Sequence, residues 1–111
     1  MASTFKRVRQ AGVGTSRVKL GNYTVPANTT AVVIGMSVAN VIADAAIAVT
    51  LEHHDGAAYL KVGPPNLSLA AGQAWAPDEI GKLVLATGDS LHLTSDTAAS
   101  ADVFLSIMEI T

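Results

Sequence analysis

From Leu20 to the C-terminus, apolar residues recur at every second position in short runs, each cut off by a turn signal. A two-residue period puts alternate side chains on opposite faces of an extended chain, so each run offers one face to a core. Val32, Ile34, Met36 and Val38 share one face of a run from about Thr30 to Ala39, with Ala31, Val33, Gly35 and Ser37 on the other. Ile47, Val49, Leu51 and His53 alternate in the same way with Ala46, Ala48, Thr50 and Glu52. Asp55-Gly56 is a hairpin signal, and the return strand, Ala57–Val62, stops at Gly63-Pro64-Pro65 because proline donates no ladder hydrogen bond. Short strands are expected at Tyr23–Val25, in "NLSL", and around Trp75. Leu83 and Leu85 read as one hairpin arm and Leu91 and Leu93 as the other, turning at Thr87-Gly88-Asp89. The last run, Ala101–Ile110, is apolar on both faces, which suits a central strand or one half-buried against another subunit. Seven to nine such strands predict an all-β, jelly-roll-like β-sandwich. The competing local reading is an Ala-rich helix over Met36–Val49, opposed by its Val and Ile residues.

Residues 1–20 lack this period and are expected to form an extended basic arm ahead of a sandwich domain at 21–111. The chain has seven Lys and Arg, and five of them lie in this segment: Lys6, Arg7, Arg9, Arg17 and Lys19. No acidic residue precedes Asp44, so the arm carries +5 and the rest −7. Phe5 and several valines among the cations suit a segment that lies on a partner. The acidic body would repel phosphate, which argues against nucleic acid, and no coherent apolar helix face or 20-residue apolar run marks a membrane segment. An acidic protein surface, including a neighbouring copy's body, is the expected contact, with Phe5, Lys6, Arg7, Arg9, Arg17 and Lys19 as partner-binding residues. Charged residues are 14% of the whole, below the usual quarter, so part of the surface is expected to be covered by other chains.

Catalytic patterns are sparse. There is no cysteine, which excludes disulfides, zinc thiolates and thiol nucleophiles. "TGDSLH" (Thr87–His92) contains the Gly-Asp-Ser-Leu string of a family of serine esterases, but Asp89 and Ser90 would point to opposite faces of a strand. The separate Asp-x-x-His block of those enzymes is missing, and the string reads as a turn. In "EHHD" (Glu52–Asp55), Glu52 and His54 share a face, and His92 is the only other histidine available as a third ligand; the expectation is no metal. No phosphate-binding glycine loop appears, and Asp78-Glu79 reads as a surface pair. Trp75 suits a core or interface anchor, the alternative being a sugar-stacking platform. No enzyme activity, cofactor or small-molecule substrate is expected.

The strings "YTVPANTTAVVIGMSVAN" (Tyr23–Asn40), "VTLEHHDGAAYLKVGPP" (Val49–Pro65) and "KLVLATGDSLHLTSDTAASADVFLSIMEI" (Lys82–Ile110) resemble small β-sandwich virion proteins of tailed bacteriophages. The resemblance covers about residues 21–110 and leaves out the arm. It implies a non-enzymatic assembly role in the virion, built in the host bacterial cytoplasm. The expected function is capsid decoration (cement), as a homotrimer bound to the major capsid protein. A tail, neck or baseplate component and a carbohydrate-binding adhesion module using Trp75 are the alternatives.

Overall fold

The alternating runs become ten strands: β1 (Ser3–Val13), β2 (Val18–Lys19), β3 (Thr30–Asn40), β4 (Ile47–His54), β5 (Tyr59–Lys61), β6 (Leu67–Leu69), β7 (Ala74–Trp75), β8 (Leu83–Leu85), β9 (Ser90–Ser95) and β10 (Ala101–Ile110). The computed structural model describes residues 2–76 and 83–111. The strands form two antiparallel sheets. In sheet I the order is β1-β10-β3, with β7 and β8 on the far side of β3; in sheet II it is β2-β9-β4, with β5 and β6 beyond β4. Most successive strands change sheet, and the orders are those of an eight-stranded jelly roll, with β7 and β8 together filling one place beside β3 and β5 an extra hairpin arm. The expected all-β sandwich is therefore the fold.

The core lies between the inner faces. Val8, Val33, Val38, Leu85, Leu105 and Ile107 of sheet I meet Ile47, Val49, Leu51, Leu69, Leu91 and Leu93 of sheet II, all buried. Small aliphatic residues suffice because the two sheets interdigitate at close range.

Four expectations need correction. Residues 1–20 are not an arm, and residue 20 is not a domain boundary. Ser3 to Gln10 pair in continuous register with Ile110 to Val103, and Val18 and Lys19 pair with Leu93 and His92. Reciprocal backbone bonds between Ala2 and Thr111 (3.2 and 2.9 Å) clamp the two ends of the chain together. The cause is Val8 and Val13, whose burial in the core outweighs the weak local pattern around them. Second, Leu83–Leu93 is not a hairpin: β8 joins sheet I and β9 joins sheet II. The Asp89 carboxylate accepts from the Ala86 amide (2.9 Å), and Val25 bonds Gly88 and Asp89 through its backbone, which docks the turn as an arch over the core edge. Third, the faces of β3 do not run unbroken. A register shift opposite Ser106/Ile107 inserts Ile34 as an extra residue, so Val33 and Val38 both turn inward while Ile34 stays outside. Fourth, the strand expected at Tyr23–Val25 is replaced by a 3-10 turn at Leu20–Asn22 and irregular chain. The strand reading of Met36–Val49 holds against its helical alternative: the segment is the end of β3, a loop and the start of β4.

Candidate functional site

The outer face of sheet I is uncovered among the described residues. Reading across β1, β10, β3 and β8, one row of cross-strand partners is Phe5, Met108, Val32 and Val84, all apolar. The next row is Arg7, Ser106 and Gly35, and the one beyond it is Arg9, Phe104 and Ser37. Phe5 is 72% exposed, Val84 67%, Phe104 44% and Ile34 39%. Scattered exposed apolar residues are ordinary, but a contiguous apolar patch marks a surface that meets another molecule. Arg7 and Arg9 border it, are exposed, and make no ion pair among the described residues. Past Phe104 an open groove runs between Arg9, Ala11, Ser37, Ala39 and Asp102.

The six residues expected to grip a partner do not act together. Phe5, Arg7 and Arg9 alternate on the outer face of sheet I. Lys6 lies on the opposite side of β1, 3.6 Å from Glu109, whose other oxygen accepts from the Tyr23 hydroxyl (2.6 Å). Burial, and then that bond, push the Tyr23 phenol well above its usual range. Lys19 donates to Thr24 (2.8 Å). Arg17 reaches across sheet II to Glu52 (Nε to Oε1, 3.0 Å) and rests its guanidinium 3.7 Å from the centre of the Tyr59 ring. The residues missed from sequence are Val32, Ile34, Val84, Phe104 and Met108; for Phe104 and Met108 the two-sided apolar pattern of the last strand was the signal.

The outer face of sheet II is polar and internally satisfied. Glu52, nearly buried, accepts from Arg17 and from Lys61 (2.9 Å). Burial pushes its pKa up, but the hydrogen bonds from Lys61 and Arg17 outweigh this and hold the carboxyl below its ordinary value. Tyr59 stacks on His54 (4.1 Å), and His92 meets both rings edge-on. Burial, followed by the charges of His54, Lys19 and Arg17, depresses His92.

The catalytic string is divided between two places. Ser90 Oγ lies 3.0 Å from His92 Nε2, because residues two apart on a strand share a face. Asp89 is paired instead with His53 (2.8 Å). Ser90 is 2% exposed, so its hydroxyl faces packed protein rather than a cleft. Glu52 and His54 do share a face with His92, but the Glu52 carboxylate is spent on two cations, and no group of three metal-ligating side chains occurs among the described residues. Trp75 pairs with Val38 and packs, half-buried, beside Gly63. Asp78 and Glu79 lie outside the described residues.

No protein-family model matches the chain, and no curated protein matches it. Solved structures share its fold. A chain from the acid-stable capsid of Helicobacter pylori bacteriophage KHP30 superposes with a TM-score of 0.58 at 13% identity, over 100% of this chain and 89% of that one. A chain from the disulfide-linked pili called Bacillus endospore appendages gives 0.56 at 12% identity, over 98% and 88%. This chain has no cysteine with which to form such links.

Proposed function

We propose that this chain is a bacteriophage virion structural protein, a capsid decoration (cement) protein that assembles as a homotrimer and binds the major capsid protein. It carries no catalytic step and needs no cofactor. The observation that supports this best is the uncovered apolar row Phe5-Met108-Val32-Val84 with Phe104 and Ile34 beside it. Burying such a face between copies removes apolar area from water at about 25 cal/mol per Å², and the jelly roll leaves its long central strands free to present it. The fold likeness to a capsid chain is consistent with this role, although fold alone does not assign function. Cationic residues on a border, set against an acidic neighbour, would fix register more than affinity.

The test is reconstitution. Purified protein is added to heads of the phage that encodes it, prepared without it, and copies per particle are counted. Hundreds of copies, with heads that resist heating better, are expected. No binding to heads would overturn the reading. A handful of copies at one vertex or along a tail would favour a tail, neck or baseplate component, a second reading that the likeness to a pilus chain supports.

A further inference from the structure

The apolar face has a neighbour that the proposed assembly does not use: the open edge of β1. Ala2 and Thr111 exchange both backbone hydrogen bonds, so they are a hydrogen-bonded pair of the antiparallel ladder. Such pairs alternate along a ladder. Continuing the register, Thr4, Lys6, Val8 and Gln10 spend their backbone groups on β10. The N–H and C=O groups of Ser3, Phe5, Arg7 and Arg9 point the other way. At Arg9 they meet Gly21, whose added Cβ would lie 3.1 Å from the Arg9 carbonyl. From Ser3 to Arg7 the edge is open among the described residues.

Every other edge strand of the two sheets is two or three residues long, the usual protection against unwanted pairing. β1 has eleven residues, is clamped at its start to Thr111, and carries three cations and no acid. Two copies of this edge repel each other, while an acidic strand is attracted to it.

We propose that the Ser3–Arg7 edge of β1 captures an extended acidic segment of a partner protein by strand addition. The added strand bonds the backbones of Ser3, Phe5 and Arg7. Its residue opposite Arg7 is Asp or Glu, and its residue opposite Phe5, two positions along, is apolar. Both side chains then lie on the outer face of sheet I, where Phe5 and Arg7 already are. This deepens the assembly role proposed above and rests on it for the partner's identity, but the edge is tested without particles.

The probe is a synthetic eight-residue peptide with Glu and Val two positions apart, alongside a control in which Lys replaces Glu. On adding the Glu peptide to the full chain, amide exchange at Ser3, Phe5 and Arg7, fast beforehand, should slow, while Thr4, Lys6 and Val8 stay protected throughout. Arg7→Pro removes an N–H that β10 does not use, so the sandwich should hold its melting temperature while affinity falls by about tenfold or more. Arg7→Val keeps that N–H and loses only the charge, so it should weaken binding less, by about threefold, and it still reports if the proline variant fails to fold. Equal binding of the Lys peptide, or slowing of exchange away from β1, would overturn the proposal. So would amides slowed at rising protein concentration without peptide, which would make a second copy the occupant. If the peptide binds as described but the protein ignores phage heads, the virion reading fails and the edge stands.

Discussion

Glu52 is the residue on which sheet II depends most. Its carboxylate is nearly buried and takes hydrogen bonds from Arg17, ahead of β2, and Lys61, on β5, so it ties one side of the sheet to the other. Glu52→Gln keeps the shape and removes the charge, which should cost about 1–2 kcal/mol, since both cations remain half in water. The shift in urea midpoint measures it. Acid should act first at His92 and then at a group of carboxylates. His92 is depressed below its ordinary 6.5, so the unfolded chain takes up its proton first. Its contribution is whole above that value and is lost as pH falls through the folded pKa. Glu52, depressed below 4.5, and Asp55 and Asp96, held below 3.8 chiefly by backbone hydrogen bonds, follow the same sign together at lower pH. Stability should therefore decline in two steps on acidification, and His92→Gln should remove the upper one. A pH series of thermal melts would show one step in that variant and two in the parent. At Gly21, φ is +59° and a Cβ would sit 2.4 Å from Val8 Cγ1. Gly21→Ala should cost about 2 kcal/mol through strain and displacement of Val8.

Among elements, β1 departs furthest from its sequence. It supplies Val8 and Val13 to the core and the whole outer ladder of β10. Deleting residues 2–19 should therefore leave a chain that no longer melts cooperatively, whereas a detachable arm would leave the melt unchanged; circular dichroism on heating decides. The segment read as an arm because Val8 and Val13, the two buried residues of β1, are five apart, which fits neither a strand nor a helix period. Gly12 and a register shift between Gln10 and Val13 account for that spacing. β3 misled in the same way, since the extra Ile34 exchanges its two faces halfway along. In β10 the alternation in sequence matches burial residue by residue, and in β4 it does so from Ile47 to Leu51; in β9 both faces are covered, so the leucines and the polar residues between them are buried alike. The arch between β8 and β9 was not legible because leucines facing one core look alike whether they pair or oppose. The Ser90–His92 contact could have been read from spacing alone; the division of Asp89 to His53 needed the fold.

At the scale of the whole molecule, the long strands β1, β3 and β10 run along a body of 47 × 26 × 23 Å. One broad side of that body carries an apolar row bordered by Arg7 and Arg9, while the other carries a network of charges and rings. The low overall charge raised the expectation that other chains cover part of the surface, but locating the exposed apolar row required the register that lines up residues from four strands. Five of the chain's cations looked like one device and are three: Lys6 and Lys19 support their own sheets, Arg17 straps sheet II, and Arg7 and Arg9 border the apolar side. The central claim is that copies of the chain cover this side. Sedimentation equilibrium of the purified protein, beside the double variant Val84→Lys, Phe104→Asp, tests it most directly. A mass of three chains is expected for the parent and of one chain for the variant, with unchanged melting temperature. A parent that remains a single chain at every concentration, indistinguishable from the variant, would contradict it.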